Sequence, residues 1–168
     1  MKYKRILVAI DRSPQTEVVF EQALELAKKE EAALMVFHCL PLEMQPSSSY
    51  ADIYGSGLIS FSAELQAQWE KELQETRQWL EDYGHRSNSE GVSTAWDLKV
   101  GNPGSAIRNA IEAWDADLVV LGRRGRRGLQ EVLLGSISNH IIHHVNCSVL
   151  VVQGISPQTE PGRSNTAN

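Results

Sequence analysis

The sequence predicts an α/β domain, an open parallel sheet with helices packed on both faces. Three observations lead there. Short, nearly continuous apolar runs such as Ile6-Leu7-Val8-Ala9-Ile10 recur along the chain, and such runs suit strands buried on both sides. Stretches with apolar residues at helical spacing separate them. The two kinds of segment alternate as βαβαβαβαβ, which implies parallel pairing through right-handed crossovers. In such sheets ligands bind beyond the carboxyl ends of the strands, where strand order reverses.

The first strand, Arg5 to Ile10, ends at Asp11-Arg12-Ser13-Pro14. There Ser13 is placed to cap a helix and Pro14 to occupy its first position. That helix runs to about Lys29, with Val18, Val19, Ala23, Leu24, Leu26 and Ala27 on its apolar face. Ala33 to Leu40 is the second strand. Pro41 to Ser60 holds Gln45-Pro46-Ser47-Ser48-Ser49 and Gly55-Ser56-Gly57 without a sustained period, and reads as a long loop. Helical spacing returns from about Phe61 to Tyr83, through Leu65, Trp69, Leu73, Thr76 and Leu80, and Gly84 supplies a stop. Val92 to Val100 alternates with period two, the third strand. Asn102-Pro103 then caps a helix carrying Ile107, Ala110, Ile111 and Trp114. Asp117 to Leu121 is the fourth strand, ended by Gly122. A glycine-arginine segment leads to a helix over Ser136–His144, and Ser148 to Val152 closes the series. Residues 1–152 thus form one domain, with a long loop at 41–60, and 153–168 read as a frayed tail.

Composition narrows the function. The 168 residues, 42% hydrophobic and 22% charged, suit a single domain with a core of its own. No apolar run approaches a membrane span, and the basic start leads into no signal-peptide core. Cys39 and Cys147 are too few for a disulfide framework and suit a reducing, cytoplasmic setting. The net charge of −5 hides a concentration, because Arg123, Arg124, Arg126 and Arg127 stand within five positions. Setting those four aside leaves 12 basic residues against 21 acidic ones. An acidic body argues against nucleic acid or a membrane surface as partner, since both need an extended basic face. A local arginine-glycine cluster suits a small anion.

That cluster lies in residues 122–138. Gly122, Gly125 and Gly128 lack the Cβ that would hold a ligand off and reach turn conformations closed to other residues. Successive amides in such a turn form an anion nest. Gly135-Ser136 opens the last helix, whose free N–H groups favour phosphate. Ser136 and Ser138 add hydroxyl donors, and the arginines add charge-assisted hydrogen bonds.

Gly122, Gly125, Gly135 and Ser136, with Arg126 to Leu134 as the nine intervening residues, reproduce a pattern of Gly, two residues, Gly, nine residues, Gly, Ser. The segment resembles the nucleotide-binding motif of the universal stress protein family. The likeness extends from residue 4 to about 152, through the strand ending in Asp11, the Val100-Gly101-Asn102-Pro103 turn and the closing Cys147-to-Val152 run. It implies a Rossmann-like, adenine nucleotide alpha hydrolase-like sheet of five parallel strands, order 3-2-1-4-5, holding ATP or another adenine nucleotide (ADP, AMP or cyclic AMP). By position, Gly122 to Gly128 would hold ribose and phosphates, with Arg123, Arg124, Gly125, Arg126 and Arg127 between. Ser136, Ile137 and Ser138 would hold phosphates, while Ala9, Ile10, Asp11 and the main chain of Cys39 would line the adenosine side. In some members the acid matching Asp11 also helps hold a divalent ion, Mg2+ or Mn2+. The last strand commonly pairs with its copy, which makes Val149, Leu150, Val151 and Val152 a homodimer edge. Ala9-Ile10 before Asp11 departs from the Pro-Thr or Val-Asp of some relatives, and the 41–60 loop belongs to the family's most variable region.

Blander readings stand beside these. Asp11 also suits a plain helix cap, and some of the arginines suit a solvated loop. His140, His143 and His144 have spacings that put pairs on one helix face, yet no Cys, Asp or Glu nearby in sequence completes a metal site. Trp69 and Trp79 read as packing or interface residues rather than a cofactor box. The chain has no Gly-x-x-x-x-Gly-Lys-Ser/Thr loop, and Glu131 is the one carboxylate within the glycine segment. Phosphoryl transfer needs positioned cations, a metal and a group to orient the nucleophile. A regulatory nucleotide-binding protein, read by a partner protein, is therefore favoured over a slow ATPase or nucleotide phosphotransferase using Asp11 and a metal; a place in the stress response is what the family resemblance implies.

Overall fold

The computed structural model describes residues 2–41, 55–123 and 135–153. Nine elements follow in order: β1 (Arg5–Ala9), α1 (Thr16–Glu30), β2 (Ala33–Pro41), α2 (Gly55–Ser89), β3 (Thr94–Gly101), α3 (Pro103–Trp114), β4 (Leu118–Gly122), α4 (Ser136–His144) and β5 (Ser148–Val152). The strands pair in parallel in the order β3-β2-β1-β4-β5, as expected. The order reverses between β1 and β4, whose ends carry Asp11 and Gly122. No helix among the described residues is long and apolar enough to cross a membrane.

The alternation of side chains along each strand divides the core in two. Ile6, Val8, Leu34, Val36, Leu118 and Val120 face α1 and α2, where they meet Val19, Phe20, Ala23, Leu24, Leu80 and Tyr83. Leu7, Phe37, Cys39, Val119 and Leu121 face α3 and α4, against Ile107, Ile111 and Ile141. The central strands β1 and β4 are buried on both faces, which explains their unbroken apolar runs. Burying one such Val, Leu or Ile side chain contributes about 1.5–3 kcal/mol.

Four expected boundaries are corrected. α1 starts at Thr16, not at Pro14. Ser13 and Pro14 instead form a turn in which the Ser13 carbonyl accepts the Thr16 N–H at 3.2 Å. β3 starts at Thr94, while Val92 is buried just before it. α2 runs through the expected stop at Gly84 and begins within the expected loop, at Gly55. Gly84 serves packing: a Cβ there would stand 3.2 Å from Trp96 Cδ1. Gly91, at φ 85°, follows the helix end. The unpromising Gly55-Ser56-Gly57 start is carried by propagation, each added residue gaining a hydrogen bond once the helix exists. At 1.5 Å per residue α2 is about 52 Å long, roughly twice the span of an eight-residue strand. Its second half packs on the sheet, through Thr76, Leu80, Tyr83 and Ser87, while 63–68 are exposed.

Trp79 packs at the margin of the core, as its spacing suggested. The α1–α2 seam is polar at its rim. The Tyr83 hydroxyl donates to Glu17, Arg86 donates to Glu17 at 2.9 Å and also pairs with Glu21, and the Arg86 guanidinium lies 5.0 Å from the centre of the Phe20 ring. The Tyr83 hydroxyl and then Arg86 hold the Glu17 carboxyl below its ordinary range.

Candidate functional site

Three connections meet at the carboxyl edge of the sheet, and their local chemistry differs. The β1–α1 turn is closed by its own side chains. Asp11 Oδ1 accepts the Ser13 N–H at 3.2 Å, Ser13 Oγ accepts the Gln15 N–H at 3.4 Å, and the Thr16 hydroxyl donates to the Asp11 carbonyl. Asp11 therefore shapes a turn of the kind Asp side chains favour and does not cap α1, whose N-cap is Gln15. Ile10 is pinned from β2 on both sides of its peptide. Its N–H donates to the Phe37 carbonyl at 2.9 Å, and its carbonyl accepts from His38 Nδ1 at 2.7 Å. Since a carbonyl only accepts, the proton of the neutral ring sits on Nδ1. Burial pushes the His38 pKa below its ordinary value.

The β3–α3 turn is the tightest. Gly101, at φ 151°, takes a conformation that favours glycine. Asn102 Oδ1 accepts the Ser105 N–H at 3.0 Å, with Pro103 in the first turn, so the expected cap is present. Cys39 lies beside this turn, buried, its thiol 3.6 Å from the Gly101 carbonyl. Burial pushes that thiol up, away from the thiolate that redox chemistry needs.

The third connection joins β4 to α4. Its two ends are brought together: Ser138 is buried and its hydroxyl donates to the Gly122 carbonyl at 3.3 Å. A serine has one hydroxyl proton, so the expected pair of hydroxyl donors reduces to Ser136, which is exposed. Ser138 fastens α4 to β4 instead. Asn139 makes the first intrahelical bond, to the Gly135 carbonyl at 2.9 Å. The N–H groups of Ser136, Ile137 and Ser138 precede it and have no carbonyl within the helix to bond. Gly135 has no side chain with which to cap them.

Gly122 is glycine for a reason the motif did not suggest. A Cβ there would come within 2.9 Å of Val19 Cγ2 on α1, and its φ is not in the left-handed region. Arg123 N–H extends the sheet by donating to the Val152 carbonyl at 2.8 Å. Arg124, Gly125, Arg126, Arg127 and Gly128, together with Glu131, lie outside the described residues. Of the proposed ligand set, the structure thus brings Ala9, Ile10, Asp11, Gly122, Arg123, Gly135, Ser136, Ile137 and Ser138 to the ends of the adjacent strands β1 and β4, with Cys39 one strand away on β2.

Of the α4 histidines, His140 and His144 pack on each other and His143 is exposed. His140 stacks on His144 with ring centres 4.2 Å apart, and His144 Nδ1 donates to the His140 carbonyl at 2.7 Å. A Cβ on Gly104 would stand 2.8 Å from His140 Cδ2, so that glycine lets α3 and α4 close. Among the described residues no group of three or more His, Cys, Asp or Glu side chains is arranged to hold a metal ion. A cavity of about 480 Å³ lies between α3 and the β2–β3 side of the sheet, over Met35 and Phe37 and under Asp97 and Lys99. It includes neither Asp11, Gly122 nor Ser136.

Comparison with known proteins decides the family. A model of the universal stress protein family matches residues 2–153. The chain belongs to the universal stress protein family. It is 49% identical to the universal stress protein Sll1388 of Synechocystis over 153 residues, which is 91% of this chain and 99% of that protein. Among solved structures the fold matches the protein MJ0577 with a TM-score of 0.70 at 22% identity, covering 93% of this chain and 99% of the other. It also matches a universal stress protein from Archaeoglobus fulgidus in complex with dAMP (TM-score 0.58, 21% identity, 90% and 98% covered). A universal stress protein in complex with cAMP matches at TM-score 0.58 and 20% identity, covering 91% and 98%. At these identities the structural likenesses speak for the universal stress protein fold.

Proposed function

We propose that this universal stress protein binds ATP or a related adenine nucleotide across the ends of β1 and β4 and acts as a regulatory binding protein. One observation carries the reading. The start of α4, with three N–H groups that have no intrahelical acceptor, is fastened beside Gly122 and one strand from the Asp11 turn. A helix start of this kind attracts phosphate through its N–H groups and its dipole. Fold neighbours in complex with dAMP and cAMP support an adenine nucleotide as the anion. In this reading Ser136 and the amides of residues 136–138 take phosphate, the glycine-arginine segment from Gly122 wraps ribose and phosphates, and Ala9, Ile10, Asp11 and the Cys39 main chain line the adenosine side. A divalent ion fits this arrangement as Mg2+ usually binds, through one carboxylate, the nucleotide phosphates and water. Asp11 is that carboxylate. The ion would supply charge neutralisation at the phosphates.

A homodimer edge at β5 is supported by its position, since it pairs with β4 on one side and carries Leu150 at 36% exposure. An edge strand of this kind offers backbone groups to a second strand, and Val149 to Val152 supply the contact. The cytoplasm is the compartment that suits the two unpaired cysteines.

The test is calorimetric titration of nucleotide-stripped protein with ATP, ADP, AMP and cyclic AMP, with and without magnesium, followed by phosphate-release assays on the same samples. Binding without turnover is the expected result. Failure to bind any of the four overturns the reading, and turnover abolished by Asp11→Ala at unchanged affinity would make the protein an enzyme.

A further inference from the structure

Arg12 stands next to Asp11 in the β1–α1 turn, yet its side chain serves another element. Its guanidinium lies over the Trp79 ring with Cζ 5.2 Å from the ring centre, and Nη2 donates to Thr76 Oγ1 at 3.2 Å. Thr76 and Trp79 are three residues apart on α2 and so share a face. Thr76 is fully buried, and Arg12 reaches it from an exposed backbone position. The Trp79 ring in turn stands edge-on to His38, with centres 5.3 Å apart and planes at 88°, and edge-on to Tyr83 at 5.5 Å and 87°. His38 closes the circuit by donating to the Ile10 carbonyl. The residues on either side of Asp11 are therefore both gripped, Ile10 from β2 and Arg12 from α2, with Trp79 in contact with both grips.

Packing alone does not ask for this arrangement. An apolar side chain at position 12 would cover the Trp79 face equally well, whereas a guanidinium adds direction, because its planar fork has to meet both a ring face and a hydroxyl. A turn held at two points beside a proposed ligand site has its geometry set before the ligand arrives, and this lowers the cost of ordering on binding.

We propose that Arg12 is a positioning residue: by bridging the Asp11 turn to Thr76 and Trp79 it sets the adenosine side of the site and reports nucleotide occupancy to α2. The proposal rests on the nucleotide reading given above. A ligand seated against Asp11 meets a turn already in place, and it changes the field at the Arg12 guanidinium, which the Trp79 ring beneath it senses.

The experiment uses the full chain labelled with 5-fluorotryptophan. Its four tryptophans, Trp69, Trp79, Trp96 and Trp114, give four fluorine resonances, assigned through single Trp→Phe variants. Titration with ATP and with AMP is expected to move the Trp79 resonance in the wild type. In Arg12→Met that response disappears and affinity falls by about three- to tenfold, the scale of one lost hydrogen bond. Thr76→Val is expected to lose affinity similarly although it lies on α2, and Thr76→Ser, which keeps the hydroxyl, to restore it. Binding in the wild type with an unmoved Trp79 resonance overturns the proposal. So does a loss confined to Arg12→Met with Thr76→Val unaffected, since Arg12 would then be touching the nucleotide itself. Calorimetry on the wild type separates the two levels: if no nucleotide binds, the site reading fails first and the positioning role fails with it.

Discussion

Helices α3 and α4 pack on the same face of the sheet, start at the same edge and touch each other, yet their first turns are handled in opposite ways. α3 follows β3 after the single residue Asn102, whose side chain accepts from Ser105 N–H. Its helix start is satisfied from within. α4 is separated from β4 by residues 123–135 and begins at Gly135, which has no side chain to offer. The difference teaches where a parallel α/β sheet secures stability and where it leaves room for the proposed site. An Asn cap contributes about 1 kcal/mol by satisfying an amide that would otherwise seek water. A helix start without a cap forgoes that contribution and leaves its amides to an incoming anion.

The largest effect is expected from filling the α4 start. Gly135 has φ −55° and ψ 153°, a backbone open to any residue, so Gly135→Val should fold normally. A branched side chain at the N-cap is expected to crowd the α4 amides that the proposed phosphate uses, and nucleotide affinity should fall on the order of a hundredfold, about 2.7 kcal/mol. Calorimetry measures the affinity and thermal melting the fold; unchanged affinity would remove the contrast between the two helix starts. Gly122→Ala should behave in the opposite way. Its methyl would press on Val19 Cγ2, and Val19 is buried and β-branched, with one favoured rotamer in a helix. Overpacking of this kind costs about 1–3 kcal/mol, seen as a lower urea midpoint. An unaltered midpoint would mean that α1 gives way freely at that contact.

These two glycines show what was legible in the sequence and what was not. Strand identity, order of elements and the Asn102 cap are local signals, carried by apolar runs and by one side chain reaching its own backbone, and they stand as read. The same is true of the start of α4 at Ser136. A glycine, by contrast, does not say whether it is present for its backbone freedom or for the room it leaves. Gly84 read as a helix stop, but it is buried mid-helix where Trp96 of β3 needs space. Gly122 read as a ligand-side glycine and turns out also to accommodate α1. Ser138 likewise read as a phosphate donor until its hydroxyl was found on the Gly122 carbonyl. In each case the deciding neighbour lies far away in sequence, and no periodicity reports it. The Arg12–Trp79 contact was missed for the same reason, since the partners are 67 positions apart in the chain.

Removing the α3 cap sharpens the comparison from its other side. Asn102→Ala should cost about 1 kcal/mol, lowering the melting temperature by about 2–4 °C for a domain of this size, and leave nucleotide affinity as in the wild type. A clear loss of affinity in Asn102→Ala would place the β3–α3 turn inside the binding site, and the division between a structural helix start and a functional one would fall.

The smallest effect concerns pH and the residue that pins Ile10. His38 is buried and its folded pKa is depressed, chiefly by desolvation; Asp11 and Glu72 oppose that shift and Arg12 reinforces it. Below the unfolded value of about 6.5 the unfolded chain takes up a proton that the folded chain resists, so stability rises with pH in this window. The contribution of His38 is present above about pH 6.5 and is lost as pH falls towards the folded value. Glu17 acts with the same sign at lower pH, because its carboxyl is held below its ordinary range by Tyr83 and Arg86. The two are separable with His38→Asn, whose amide N–H replaces the donor to the Ile10 carbonyl but does not titrate. Melting temperatures of this variant should be flatter than those of the wild type as pH falls below about 6.5 and should run parallel to them through the carboxylate range. Equal slopes in the upper window would mean that His38 takes up its proton within the fold, and that the Ile10 side of the Asp11 turn does not depend on a neutral ring.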